Sequence, residues 1–410
     1  MRRVVITGMG AVTPLGNDLP TTWRRLLAGE SGVDRIQAFD PSPFPVQIAA
    51  EVKGDYDPTG AASPKELRKL DRNVLFALSA AREAASDASL NGFDPERVGV
   101  VVGNCIGGFN ELMRQYDVLR DRGPDRVSPT FLANVLVDSA SGQIAIEMNL
   151  RGPNYAVVSA CATGSHSIGE GAEMIKRGDA DVVLAGGTEG CIHPLILAGF
   201  CTMRGLAVGD GDPREAARPF DALREGFVMG EGAAIVVLEE LEDARARGAT
   251  IYAEVLGYGA SSDAHHMLQP DPESEGVVAM MRTALQRAGV SPDQVDYINA
   301  HGTGTPLGDL AETQAIKEVF GDHAYELTIS STKSMLGHMF GAAGAIEAVS
   351  CALAIHEGTI PPTINYRNPD PELDLDYVPN EARKAEVGVA LSNAMGLGGH
   401  NGCVLLGRVV

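Results

Sequence analysis

No stretch of this 410-residue chain approaches the ~18 consecutive apolar residues that a membrane span requires. Cysteine is sparse and its spacing shows no pairing. The six residues, Cys105, Cys161, Cys191, Cys201, Cys351 and Cys403, are scattered, so neither a disulfide framework nor a zinc site is expected. That usage fits a reducing compartment. Basic residues are the minority, 33 against 54 acidic, and the formal charge of −21 argues against nucleic-acid binding that depends on neutralising phosphates. No low-complexity linker or long Pro/Ser tract interrupts the chain. The N-terminus begins like a signal peptide, but Thr7, Gly8 and Gly10 break its apolar run at once, so it reads as a first strand. We expect a soluble, cytoplasmic protein with no membrane and no nucleic-acid partner.

Short apolar runs alternate with amphipathic stretches. The runs at 98–102, 181–185, 235–238, 297–299 and 327–330 read as strands, and the stretches at 74–88, 276–288 and 344–356 read as helices. Such alternation predicts α/β architecture. A weak internal echo is present: a helix, a turn and the segment 97–108 in the first half, and the same series ending at 294–305 in the second. The opening segment through Gly10 is echoed by 253–259. Both halves place small or polar residues just past a strand end, where open α/β sheets bind ligands. Two related halves packed as one unit are expected.

The most informative residue is Cys161. An apolar run, Ala156 to Val158, reads as a buried strand, and a helical pattern follows that ends near Arg177. The thiol therefore sits at a strand-to-helix elbow. A helix N-terminus there favours the thiolate, the reactive form. Ala160, Ala162 and Gly164 leave room for a carbonyl to approach the sulfur. A buried core cysteine is the plainer reading of composition alone.

Four other segments carry polar groups that a packed core does not need. The first runs from His301 to Asp309 and offers Thr303 and Thr305 among glycines. The second, Ser330 to Gly344, holds Lys333 and His338. The third is Glu347, one candidate counter-ion for Lys333. The fourth, Leu391 to Asn401, is a glycine-rich loop able to turn backbone N–H groups toward an oxyanion. Each alone is weak, and their conjunction is strong. Lys65, Arg68, Lys69 and Arg72 recur at helical spacing. They form either a solvated helix face or a docking patch for an acidic partner.

Together these segments resemble β-ketoacyl-acyl-carrier-protein synthases of the elongating type II class. The resemblance extends through 181–189, Arg218–Asp221 and Gly226–Gly232 and covers essentially the whole chain. It implies a thiolase-like α/β fold, with two pseudo-repeated halves in a five-layered α/β/α/β/α arrangement. Residues 1–249 would form the half with the nucleophile, and residues 250–410 the half with the His/His/Lys set. The implied reaction is decarboxylative Claisen condensation with malonyl-carrier protein. Cys161 would be the acyl-accepting nucleophile, and His301 and His338 the histidine pair, with Lys333 and Glu347 supporting it. The N–H groups of Cys161 and Leu397 would form the oxyanion hole. Thr303 and Thr305 would contact the phosphopantetheine arm, and Ile106 and Phe200 would line the acyl pocket. Lys65, Arg68, Lys69 and Arg204 would dock an acidic acyl carrier protein. No metal and no cofactor are implied, since phosphopantetheine arrives on the carrier protein. A dimer is implied, either of two identical chains or with a chain-length subunit.

The chain departs from the usual pattern in its C-terminal loop. Met395 and Leu397 stand where the family usually has phenylalanine, His400 where it has threonine, and Leu268 where a hydroxyl residue often binds the arm. A leucine gate is smaller and softer than an aromatic one. The alternative within the class is the ketosynthase α-subunit of a dissociated polyketide system. A coenzyme A thiolase shares the fold but uses a second cysteine in place of two histidines. A non-catalytic chain-length subunit would lack the nucleophile that Cys161 supplies.

Overall fold

The computed structural model describes residues 2–67, 69–90, 92–209 and 211–409. Among them, ten strands form one sheet. The first half supplies β1 (Val4–Val12), β2 (Val98–Gly103), β3 (Asn154–Tyr155), β4 (Val182–Glu189) and β5 (Gly232–Glu240). The second supplies β6 (Ala253–Ser262), β7 (Tyr297–Asn299), β8 (Thr328–Ser330), β9 (Val389–Gly396) and β10 (His400–Gly407).

The sheet order is β8-β7-β9-β10-β6-β1-β5-β4-β2-β3. Counted along the chain, each half runs third, second, fourth, fifth, first. The pairing senses repeat as well. β1–β5 and β4–β5 are antiparallel while β2–β4 and β2–β3 are parallel; β6–β10 and β9–β10 are antiparallel while β7–β9 and β7–β8 are parallel. The halves meet where Val5 and Ile6 of β1 pair with Glu254 and Ala253 of β6. The internal echo in the sequence is thus a true topological repeat.

Among the described residues the helices of ten or more residues are α1 (Arg72–Asp87), α2 (Phe109–Arg122), α3 (Ser139–Met148), α4 (Thr163–Arg177), α5 (Pro194–Met203), α6 (Glu275–Ala288), α7 (Pro306–Phe320) and α8 (Ala343–Glu357). Alternate residues of each strand face different layers, as the pleat requires. Val98, Val100 and Val102 pack with α1 and α3 on the outer face of the first half. Val101, Val236 and Leu238 face the other way, into a central core shared with α4, α8 and the second-half residues Val404 and Leu406. Leu391, Cys403 and Leu405 turn outward again onto α6 and α7. The result is the expected α/β/α/β/α stack, with α4 and α8 as the middle layer. No helix among the described residues is long and apolar enough to cross a membrane.

One expected element is different. Ala156–Val158 is not a buried strand; the strand is Asn154–Tyr155, and Val158 is 46% exposed. Among the described residues β3 is the last strand of the sheet and pairs only with β2; after it Val157 packs partly on the central core while Val158 is left to solvent.

The middle layer depends on two helices crossing at glycine. A Cβ on Gly164 of α4 would lie 2.5 Å from the backbone nitrogen of Ala345, and one on Gly344 of α8 would collide with Ser165. Gly164→Val should therefore push α4 and α8 apart and cost about 1–3 kcal/mol. Denaturant titration checks this, and an unchanged midpoint would show that the crossing tolerates a side chain.

Candidate active site

Cys161 lies between β3 and α4, buried with 6% of its surface exposed. Its elbow is strained. Ala160 has φ 49°, in the left-handed region that non-glycine residues rarely enter. The turn is held by the Ala162 N–H donating to the Ser159 carbonyl (3.1 Å) and by the Ser159 N–H donating to Thr163 Oγ1 (2.9 Å). The β9–β10 hairpin lies against this turn at Gly396, where a Cβ would fall 3.0 Å from the Cys161 nitrogen. Its next residue, Leu397, brings its backbone N–H near the Cys161 sulfur, where that dipole favours the thiolate.

The thiol is not the resting thiolate that the helix N-terminus suggests. Burial pushes it up to about 11, against the opposing influence of the Leu397 N–H and the Lys333 ammonium, with the Glu189 and Glu347 carboxylates adding to the rise. The sulfur sits among apolar side chains that include Phe227, Phe340 and Ile192, where a bare anion is poorly solvated.

His301 and His338 face each other edge to face, ring centroids 5.3 Å apart. His301 follows β7, and a single buried carboxylate fixes its loop. Glu312 of α7 accepts the N–H groups of His301 and Gly302, each at 2.8 Å. His338 is held through its backbone, its N–H donating to Val228 (2.7 Å) and its carbonyl accepting from Gly230 (2.8 Å). Its ring packs on Phe227 (5.5 Å) and Phe340 (4.8 Å), members with Cys161 of one buried cluster. Burial and the nearby Lys333 charge push both imidazoles well below their usual range, so both are neutral. The Nδ1 atom of each is buried and has no hydrogen-bond partner among the described residues.

Lys333 and Glu347 form a buried ion pair, which settles the counter-ion expected from sequence. Burial pushes Glu347 up to about 7, and the ammonium works against that rise. Thr303 and Thr305 hydroxyls bond to each other at 2.9 Å beside His301. Ile106 and Phe200 both border the Cys161 cluster, and Phe200 stacks on Phe340 at 5.3 Å.

Leu397 is 37% exposed at the hairpin, with Leu268 and His400 also exposed. Lys65, Lys69 and Arg204 are exposed, and Arg68 lies outside the described residues. Arg72 leaves the basic face suggested by its spacing, because its guanidinium forks onto buried Glu231 (2.6 and 2.9 Å).

Sequence reading missed the carboxylates that hold the loops. Besides Glu312, Asp309 accepts the N–H groups of Phe220 (2.8 Å) and Gly304 (3.0 Å). Their one signal was an acidic i, i+3 pair on an otherwise apolar helix face, with Ala311, Ala315 and Ile316. His166 of α4 was also passed over; its Nδ1 meets the Tyr258 hydroxyl of β6 at 2.5 Å.

The family model "Beta-ketoacyl synthase, N-terminal domain" matches residues 1–244, and "Beta-ketoacyl synthase, C-terminal domain" matches residues 252–367. The chain is 52% identical to a 3-oxoacyl-[acyl-carrier-protein] synthase 2 of Coxiella burnetii, covering 100% of this chain and 99% of that one. It is 49% identical to the enzyme of the same name from Staphylococcus aureus strain N315, covering 98% and 97%. Among solved structures, the ishigamide ketosynthase/chain length factor superimposes with a TM-score of 0.93 at 37% identity, covering 100% of both chains. A type II PKS acyl-carrier protein in complex with its ketosynthase bound to the hexaketide gives a TM-score of 0.90 at 32% identity, again covering 100% of both chains.

The buried ion pair yields a stability test. Lys333→Met leaves Glu347 without its cation and should cost about 3–5 kcal/mol. A second change, Glu347→Leu, should return most of that loss in denaturant unfolding. A double variant no more stable than the single one would show that the uncompensated carboxylate is not the source.

Proposed function

Because this chain belongs to the beta-ketoacyl synthase family, a family of acyl-transferring condensing enzymes, we propose that Cys161 carries the acyl group which it condenses with malonyl-carrier protein. The observation that carries this reading is the edge-to-face His301–His338 pair, whose His338 ring packs on Phe227 and Phe340 of the buried cluster that holds Cys161. In the first step the Cys161 sulfur attacks an acyl thioester. The phosphopantetheine thiol leaves with the proton that Cys161 gives up, and the N–H groups of Cys161 and Leu397 receive the developing oxyanion.

Malonyl thioester then enters. Its carboxylate leaves as CO2, and the electron pair becomes an enolate on the thioester oxygen. His301 and His338 donate to that oxygen. Their Nδ1 atoms are fully buried, so Nε2 of each is assigned as the donor that reaches the substrate. Being neutral, each imidazole is a hydrogen-bond donor that costs no deprotonation. The enolate carbon attacks the acyl-cysteine carbonyl, the carbon–sulfur bond breaks, and solvent returns the proton to Cys161. The product is a β-ketoacyl thioester two carbons longer. Lys333 and Glu347 support the pair electrostatically, Thr303 and Thr305 bind the arm, and Ile106 and Phe200 line the acyl pocket. The chemistry moves acyl groups, protons and CO2, so it asks for no redox group, and the arm arrives on its carrier.

The halves divide as 1–249 and 250–410, supported by the repeated strand order. Six free cysteines support a cytoplasmic setting. Exposed Lys65, Lys69 and Arg204 suit an acidic carrier protein, whose approach they would steer. Leu397 offers a softer gate than an aromatic residue, which suits a broader range of acyl chains.

Two functional tests separate the roles. Cys161→Ala should abolish acylation and condensation, read by mass spectrometry of the protein after incubation with acyl-carrier protein. His301→Ala and His338→Ala should lose CO2 release by about two to four orders of magnitude while Cys161 still takes an acyl adduct. Parental CO2 release in both would remove the histidines from this role.

A homodimer is supported by the open edge of β3, with exposed Val158 just after it and exposed Ile146 on α3, which packs beside it. The fit to a ketosynthase/chain length factor structure favours a second reading, in which the same edge takes a different subunit. Sedimentation of the purified chain should show a dimer that Ile146→Glu with Val158→Glu splits into monomers. A monomeric parent chain would favour the second reading.

A further inference from the structure

Glu189 ends β4 and is completely buried. Among the described residues no cation pairs with it. One of its oxygens instead gathers backbone N–H groups from two separate segments. Oε2 accepts from Cys105 (2.8 Å) and Gly341 (3.2 Å), and the Ile106 N–H next in the chain favours the charged carboxylate. Oε1 is buried with no hydrogen-bond partner among the described residues.

The two tethered segments touch, Gly341 lying against Asn104 and Cys105, and each carries a neighbouring side chain, Ile106 or Phe340, into the cluster around Cys161. Ile106 borders the Cys161 cluster from the loop after β2. Gly341 follows Phe340, which has φ 44° and packs against both Phe200 and His338. A carboxylate spends a large desolvation penalty there unless it holds something in place. What it holds is the distance between the Ile106 loop and the Phe340 turn.

We infer that Glu189 is a positioning residue for acyl-chain selection, clamping the Ile106 loop to the Phe340 turn and so setting the width of the pocket beside Cys161. This rests on the reading of Ile106 and Phe200 as pocket walls. Burial pushes the carboxyl up to about 8. The ionisable groups around it are Asp71 before α1, Cys105 after β2, Cys161 before α4 and Cys191 just beyond β4, with the Arg72–Glu231 pair at the start of β5. Asp71 adds to the rise. Below that pH the clamp is a neutral acid. Above it the clamp is a carboxylate, which accepts N–H groups more strongly and holds the wall more firmly.

The test loads the intact enzyme with a mixture of acetyl- and decanoyl-carrier protein and reads the ratio of the two adducts on Cys161 by mass. E189L should change that ratio about tenfold or more, while E189Q, which keeps an acceptor oxygen, should stay within about threefold of the parent. In the parent, the ratio should drift with pH about a midpoint near 8, and in E189Q it should be flat. I106W is the control for the pocket itself. If I106W shifts the ratio and folded E189L does not, the clamp is wrong and the pocket stands. If neither shifts it, the pocket reading fails first and takes the clamp with it. Should E189L not fold, the parent pH profile decides: a flat ratio from about pH 6.5 to about 9.5 overturns the clamp.

Discussion

The Lys333–Glu347 ion pair is the constraint on which the rest of the site depends. Both partners are buried, and a buried pair of this kind is seldom a net gain in stability over apolar residues of the same volume. Its effect lies in the field it makes. Burial first, and then the ammonium, keeps His301 and His338 from taking protons, and the ammonium is one of the few influences that favour charge on the Cys161 sulfur. The carboxylate sits on α8 and so fixes that cation relative to the middle helices. A free lysine here would be driven to neutrality by burial, and a free glutamate likewise.

The repeat explains why the parts meet. Each half has the same strand order, and the halves join through β1 and β6, so the loops beyond their parallel strands converge above the middle helices. The nucleophile comes from the first half and the imidazoles from the second. Loops that carry such groups are held mainly by carboxylates that accept backbone N–H groups, Glu312 under His301, Asp309 under Gly304 and Glu189 under Ile106. These contacts need no particular side chain on the loop they hold. They restrain its backbone, which is what preorganisation requires.

Much of this was legible in the sequence, for reasons that can be named. Strands buried on both faces announce themselves as apolar runs, and Tyr297–Asn299 lies where the run predicts. Nucleophile, histidines, lysine and glutamate stand in motifs whose glycines and threonines are unusual for a core. The carboxylate clamps were scarcely legible, because an acidic residue in an apolar helix, as Asp309 and Glu312 are, or at a strand end, as Glu189 is, reads much the same whether it meets water or a loop N–H. Ala156–Val158 misled because apolar composition does not distinguish a covered strand from an uncovered edge. The charge state of Cys161 misled because a helix N-terminus is visible in sequence while the apolar walls around the sulfur come from distant segments.

Leu397 has a consequence for how such an enzyme can diversify. Its backbone N–H lies near the Cys161 sulfur, and any residue except proline supplies that amide, while the side chain is free to change. Catalytic apparatus and substrate choice therefore occupy one codon without competing for it. A lineage can exchange an aromatic for an aliphatic residue at this position in single mutational steps, and each intermediate keeps the same backbone N–H beside the sulfur.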